Sequence, residues 1–199
     1  METKTKIMIG AGAVALGAAF LAVPKAAYSA SGIDWETVPL PDFLSAPDAS
    51  DTPESVARSV AEYYNSIQSY FPGFFNSEKH SIDDVLAIWA VESNFNPKAI
   101  RKNDGGPGNH AYGIGQVLAT TATDFGITNP DAMFDLRTGA AVSMRYMHWA
   151  WTYLEARLGR EPTKKEWVGS YNAGVGSILK GRNVNAYYFK FWAKRKGLL

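Results

Sequence analysis

One glutamate has the surroundings expected of a general acid. Glu92 ends the apolar run of a helix predicted to begin at Ser81, and on a helical wheel it lies about 20° from Val85 and about 40° from Ile88. Its carboxylate therefore projects from the apolar side, and the neighbouring helical positions hold no Lys or Arg. A half-desolvated, unpaired carboxylate has a raised pKa, which suits proton donation near neutral pH. The alternative is a helix-end glutamate that bends out to water.

Other reactive groups are scarce or badly spaced. The chain has no cysteine, which excludes disulfides, Cys-ligated zinc and a thiol nucleophile, and its three histidines are widely separated. We therefore expect neither a metal site nor a cofactor. Ser177 and Lys180 fit an S-x-x-K pattern without the motifs that accompany it in penicillin-binding enzymes, so Ser177 is interpreted as a turn residue. The glycine-rich segment Arg101–Asn109 lacks the Lys-Ser/Thr of a phosphate loop and predicts a flexible loop.

Capping signals predict the first two helices that position Glu92. Thr52-Pro53 is a helix start, and Pro72-Gly73 is the predicted end of that helix. Ser81 and Asp84 form a capping-box pattern that opens the second helix, which Asn96-Pro97 is expected to break.

Three further helices are predicted in the second half of the chain. The longest runs from Thr138 to about Leu158 and is closed by Gly159. A second opens at the capping box of residues 162–166 and stops at Gly174, and residues 185–196 form an amphipathic, basic and aromatic tail. No βαβ alternation and no internal repeat occurs. The fold class is therefore mainly α, a single domain over residues 52–199.

Two segments precede this domain. Residues 7–23 form an uncharged apolar run of 17 residues after Lys4 and Lys6, so residues 1–30 are predicted to be a signal peptide or an N-terminal membrane anchor. Residues 31–51 are rich in Pro, Asp and Ser and predict an extended linker. We expect an exported protein, either periplasmic or anchored with the domain outside the cytoplasm. An uncleaved segment would make the membrane a partner.

The charge is divided unevenly along the chain. The net charge of +1 argues against nucleic acid as a partner. From Ser31 to Asp135 there are 5 basic and 15 acidic residues, whereas Arg137–Leu199 holds 12 basic and 3 acidic ones. Either the acidic and the basic segments only form the solvated surface of one fold, or the basic C-terminal surface binds an anionic polymer or lipid.

Several short motifs follow Glu92 in a recognisable order. They are ESNFNPKA from Glu92, YGIGQ from Tyr112 and YNAG from Tyr171. In this order and spacing the chain resembles the lytic transglycosylases of the soluble-lytic-transglycosylase type, relatives of goose-type lysozyme. The resemblance covers residues 82–178 approximately and implies a lysozyme-like domain.

The resemblance also implies roles for individual residues. Glu92 matches the catalytic acid/base, and Ser93 matches the serine that supports it. Gln116 matches a residue that lines the saccharide groove. Tyr171 and Asn172 match a Tyr-Asn pair that faces the acid and the N-acetyl group of the sugar.

The chain departs from the family pattern in two places. Ile114 and Gly115 replace a Leu-Met pair, so the groove wall is expected to be thinner at Gly115. The loop from Arg101 to His110 replaces a Ser-rich connection.

The family mechanism would cleave the β-1,4 bond between N-acetylmuramic acid and N-acetylglucosamine in peptidoglycan. Glu92 would protonate the glycosidic oxygen and then deprotonate the sugar's 6-hydroxyl, which leaves a 1,6-anhydro end. One alternative is a muramidase in which Asp104 activates water from about 6.5–9.5 Å away. Another is a catalytically silent murein-binding protein of a virion or secretion apparatus. The tail of residues 185–196 is expected either to pack on the domain or to contact murein or a membrane surface.

Overall fold

The computed structural model describes residues 52–66 and 74–198 of the chain. The predicted signal or anchor, the linker of residues 31–51 and the helix end at Pro72-Gly73 lie outside the described residues. None of the helices in the described ranges combines the length and the hydropathy needed to cross a membrane.

Seven α-helices, one 3₁₀ helix and three short strands make up the described part of the chain. The helices are α1 (Pro53–Ser66), α2 (Ile82–Glu92), α3 (Ala119–Asp124), α4 (Leu136–Leu158), α5 (Lys164–Ala173), α6 (Val175–Leu179) and α7 (Asn185–Lys196), with the 3₁₀ helix at Pro130–Phe134. The strands are β1 (Ile100–Arg101), β2 (Ala111–Tyr112) and β3 (Val117–Leu118). The mainly helical fold class is confirmed.

Local capping chemistry sets most helix starts. The capping box predicted at Ser81 and Asp84 is present at α2, and that of Thr163 and Glu166 is present at α5. Helix α4 ends at Gly159, which adopts the left-handed conformation with φ 67°. These three predictions are confirmed.

Two element boundaries and the assignment of one residue differ from the sequence prediction. Helix α4 begins two residues before Thr138, because the Asp135 side chain accepts a hydrogen bond from the Thr138 backbone N–H and caps the earlier turn. Helix α2 ends at Glu92 rather than at Asn96-Pro97, since Asn94 and Phe95 adopt positive φ values of 52° and 62°. The interpretation of Ser177 as a turn residue is wrong, because it lies buried within the short helix α6.

The strands form a small antiparallel sheet in the order β1-β2-β3 beside the end of α2. Arg101 pairs with Ala111, and Ala111 pairs in turn with Leu118. The β1–β2 connection was expected to be a flexible loop. The connection contains backbone hydrogen bonds, among them Gly105 N–H to the Asn109 carbonyl at 3.0 Å.

Helix α2 lies at the centre of the core. All its residues from Val85 to Ala90 are buried, and it packs against α1 and, most extensively, α7. Tyr187 and Phe191 on α7 are also buried. The expectation that residues 185–196 pack on the domain is therefore confirmed.

A fully buried carboxylate joins three helices. The Asp84 side chain on α2 accepts hydrogen bonds from Lys164 Nζ on α5 at 2.7 Å and from Arg195 Nε on α7 at 2.6 Å. The Ser81 backbone N–H donates to the same carboxylate at 2.9 Å. We call Asp84, Lys164 and Arg195 the Asp84 cluster; it ties the C-terminal helix to the start of α2.

Candidate active site

Glu92 lies at the C-terminal end of α2 with its side chain only 5% exposed. The Tyr187 hydroxyl donates a hydrogen bond to Oε1 at 2.5 Å. Arg101 Nη2 lies 3.4 Å from Oε2. Each carboxylate oxygen therefore has a neighbour, and the two neighbours come from different elements, one from α7 and the other from β1.

Burial is the main cause of a raised pKa for Glu92. The hydrogen bond from Tyr187 and the positive charge of Arg101 lower this pKa, while the negative charge of Asp104 raises it, and the net direction is upward. The predicted rise is confirmed. The prediction that Glu92 has no cationic partner is wrong, because Arg101 approaches from the strand rather than from the helix.

Ser93 ties the end of α2 to the loop that follows β2. Its Oγ donates a hydrogen bond to the Ile114 carbonyl at 2.8 Å. Asn94, Phe95 and Gln116 have φ values of 52°, 62° and 48°. Such left-handed conformations cost energy in residues other than glycine, and they concentrate at functional sites.

Gln116 is buried beside this loop. Its Nε2 donates to the Ala99 carbonyl at 3.0 Å and to the Gly113 carbonyl at 2.9 Å. The side chain thereby connects the segment after α2 with the turn before β3. The amide nitrogen of Gln116 is thus held by two backbone carbonyls.

Tyr171 contacts the backbone of the turn that precedes β3. Its hydroxyl donates to the Gly115 carbonyl at 2.7 Å. A Cβ atom at Gly115 would lie 2.5 Å from Ser143 Cβ and 2.7 Å from the Tyr171 hydroxyl oxygen. The expectation of a thinner wall at Gly115 is therefore wrong, because Ser143 and Tyr171 fill that space. Burial and the charge of Glu92 raise the pKa of Tyr171, which keeps the phenol neutral.

The two remaining predicted residues are both exposed. Asn172 lies on the last turn of α5 next to Tyr171. Asp104 lies in the β1–β2 connection, and its carboxylate oxygens are 3.4 and 3.5 Å from Arg101 Nη1. The guanidinium of Arg101 therefore lies between Asp104 and Glu92 and contacts both carboxylates.

Two residues that contact Glu92, Tyr187 and Arg101, were not predicted from the sequence. Tyr187 is one of several aromatic residues in a basic segment, and its distance along the chain from Glu92 gives no local signal. Arg101 belonged to a segment interpreted as a loop. In the described ranges, no group of three or more His, Asp or Glu side chains is arranged to hold a metal ion.

A comparison with known protein families identifies the family of this chain. Residues 75–190, more than half of the chain, match the Transglycosylase SLT domain family. No curated protein and no solved structure gives a significant match. The match begins before α2 and ends within α7, so it includes both Glu92 and Tyr187. The chain therefore belongs to the SLT transglycosylase family, with a lysozyme-like fold and the peptidoglycan lytic transglycosylase activity that this family carries.

Proposed function

We propose that the protein cleaves the β-1,4 bond between N-acetylmuramic acid and N-acetylglucosamine and leaves 1,6-anhydro ends, with Glu92 as the single acid/base. The supporting observation is the environment of Glu92: a buried carboxylate with a raised pKa at the end of α2, oriented by the Tyr187 hydroxyl. A carboxyl group in this state is protonated at higher pH than an exposed glutamate, as a general acid requires.

The same carboxyl group serves both proton transfers. Glu92 gives its proton to the glycosidic oxygen as the bond from that oxygen to the muramyl C1 breaks, and the acetamido group of the sugar stabilises the oxocarbenium-like state. The resulting carboxylate takes the proton of the 6-hydroxyl while the oxygen of that hydroxyl bonds to C1. The proton returns to Glu92, and no water is consumed.

The other predicted residues support this reaction from the wall of the site. Ser93 holds the end of α2 against the turn that follows β2, and Gln116 and Tyr171 contact the backbone of the same turn. Asn172 is exposed beside Tyr171 and is proposed to bind the N-acetyl group. Gln116→Ala and Asn172→Ala should each weaken substrate use less than loss of Glu92, because neither removes the transferable proton.

Replacement of Glu92 by Gln tests the proposal directly. The amide keeps the shape of the side chain and loses the proton, so lysis of purified sacculi should fall by more than about a hundredfold. Glu155→Gln, an exposed position on α4, is the matched control and should retain activity. Near-normal lysis by a Glu92→Gln variant with an unchanged far-UV circular dichroism spectrum would refute the assignment. If the unmodified protein releases no muropeptide, the alternative of a catalytically silent murein-binding protein is favoured.

The products separate a transglycosylase from a muramidase. Mass spectrometry should show anhydro ends that borohydride does not reduce. Asp104 argues against hydrolysis, because its carboxylate is 36% exposed and lies 3.4 Å from a cation, Arg101 Nη1. Reducible ends, together with loss of activity in Asp104→Asn, would establish the muramidase reaction instead.

We also propose that the apolar segment of residues 7–23 exports the domain. Protease added to sealed spheroplasts should digest the domain, and protease added to inverted vesicles should not. The N-terminal sequence of the mature protein then distinguishes the two forms. A start near Ala30 means a cleaved signal, and an intact N-terminus means a membrane anchor.

A further inference from the structure

One guanidinium connects the proposed acid with a second carboxylate. Arg101 Nη2 lies 3.4 Å from Glu92 Oε2 and 3.4 Å from the Glu92 carbonyl oxygen, which ends α2. Arg101 Nη1 lies 3.4 Å from Asp104 Oδ2 and 3.5 Å from Oδ1. All these contacts exceed the roughly 2.7–2.9 Å of a tight charge-assisted hydrogen bond. Arg101 is therefore shared between two acids and fully engaged by neither.

The backbone that carries this pair is well ordered by hydrogen bonds. Arg101 pairs with Ala111 in the sheet. Beyond it, the Asn103 backbone N–H donates to His110 Nδ1 at 3.0 Å, and the Asn103 side-chain oxygen accepts from the Gly108 N–H at 2.9 Å. The positions of Arg101 and Asp104 relative to Glu92 are thus set by a closed turn.

Few other charged or titratable groups face Glu92. From α7 the Tyr187 hydroxyl contacts Oε1, and from α5 Tyr171 lies close enough for the charge of Glu92 to raise its pKa. Burial raises the pKa of both phenols, so both remain neutral. Lys194 on α7 contacts the Asn94 side chain rather than the carboxylate. In the described residues, Arg101 is the cation that contacts Glu92.

We propose that Arg101 is a positioning residue that transfers its guanidinium between two acids, contacting Glu92 when Glu92 is ionised and Asp104 when Glu92 is protonated. The proposal rests on the proposed role of Glu92 as acid/base, and it adds a residue, Arg101, whose contacts change with the charge of Glu92. Because Tyr187 occupies Oε1, Oε2 is the oxygen that carries the transferable proton. A proton on Oε2 removes the charge that attracts Arg101, and Asp104 then holds the guanidinium.

The two partners act on Glu92 in opposite directions. The positive charge of Arg101 lowers the pKa of Glu92, and the negative charge of Asp104 raises it. Arg101 therefore stabilises the carboxylate that forms when the proton leaves, while Asp104 keeps the carboxyl group protonated until the substrate is bound.

Profiles of activity against pH for two variants test the proposal. Arg101→Gln should move the alkaline limb of kcat/KM to higher pH and lower the rate at the optimum by about two- to fivefold, the range for a solvent-accessible ion pair. Asp104→Asn should move the alkaline limb to lower pH. Lys102→Gln removes the same charge from the same loop, one residue beyond Arg101, and should leave the limb in place. Arg101→Lys should restore most of the unmodified profile.

A second measurement is independent of turnover. Carbon-13 NMR titration of the Glu92 side-chain carboxyl, identified by its absence in Glu92→Gln, should show the same two opposite shifts without substrate. Unchanged titration in both variants, or shifts in the same direction, would overturn the proposal. If Glu92→Gln retains activity, the acid/base assignment fails, while the titration still reports on Arg101. If Asp104→Asn abolishes activity at every pH, Asp104 is a catalytic base and the positioning role is refuted.

Discussion

Replacing Asp84 by Asn should destabilise the protein more than any single change at a surface ion pair. The Asp84 carboxylate is fully buried, whereas the side chains of Lys164 and Arg195 are 18% and 16% exposed. After this substitution the new amide carries no charge, and its nitrogen would face one of the two cations as a second donor. The variant therefore keeps the volume of the side chain and removes the charge that both cations require.

The size of the effect follows from the geometry. At 2.6–2.7 Å and an effective dielectric constant of about 20, each contact corresponds to about 6 kcal/mol of gross attraction. Desolvation of the buried ions offsets most of this, and removal of one partner from a buried pair typically costs about 3–5 kcal/mol. Because Lys164 and Arg195 keep some contact with water, we expect Asp84→Asn to lower the free energy of unfolding by about 3 kcal/mol. Arg195→Met leaves the Asp84–Lys164 pair balanced and should cost about 1.5 kcal/mol, near the lower end for a hydrogen bond to a charged group.

Urea unfolding followed by far-UV circular dichroism measures these differences. Lys79→Met is the control, since Lys79 and Glu161 form a pair that is more than half exposed on both sides and should contribute less than about 1 kcal/mol. The reasoning would be refuted if Asp84→Asn cost no more than Lys79→Met, or if Arg195→Met cost more than Asp84→Asn.

Two further predictions concern packing and pH. Gly115→Ala should lower the free energy of unfolding by about 1–3 kcal/mol and reduce lysis, because the new methyl group would displace Tyr171 or Ser143. Gly197→Ala is the control and should leave the melting temperature nearly unchanged, because the nearest atom to its new Cβ, the Lys194 carbonyl oxygen, is 3.4 Å away. Equal melting temperatures for both variants would contradict this prediction. Burial lowers the pKa values of His80 and His148 below their ordinary value of 6.5. As pH falls below 6.5, the unfolded state therefore binds more protons than the folded state, and the free energy of unfolding declines until pH is below the folded-state pKa values. Urea midpoints between about pH 7 and pH 5 should therefore fall, and a variant with both histidines replaced by Gln should lose part of that slope; an identical slope would contradict the assignment.

Helix ends could be predicted from the sequence because their chemistry is local. The capping boxes at Ser81 and Thr163 involve groups three residues apart, so the pattern in the chain is the pattern in space. Gly159 likewise ends α4 through its own backbone conformation. The direction of the pKa shift at Glu92 followed from the apolar face of a single helix.

The partners of Glu92 could not be predicted in this way. Helical periodicity relates Glu92 only to positions three and four residues away, whereas Arg101 approaches from a strand nine residues later. Tyr187 is 95 residues away, and only the packing of α7 on α2 brings the two side chains together. The strands themselves have two residues each, which is too short for an alternating pattern.

The buried face of α1 shows a different limit. Large apolar residues recur at helical spacing at Val56, Val60 and Tyr63; Val60 is fully buried, whereas Val56 and Tyr63 are half-buried. Ala57 and Ala61 are also fully buried. A periodicity based on large residues alone does not include these small side chains, which let neighbouring helices approach closely.

The hydrogen bond between Tyr187 and Glu92 also sets the order in which the site is completed during synthesis. Ribosomes add about 5–20 residues per second, so Tyr187 is synthesised about 5–20 s after Glu92. During that interval a nascent chain already contains α2 and the β1–β2 turn, but Oε1 of its glutamate has no phenol to orient it. A chain that ends before α7 therefore lacks both a wall of its core and one of the two groups that contact the carboxylate. Completion of the last helix is thus the step that gives Glu92 its final environment.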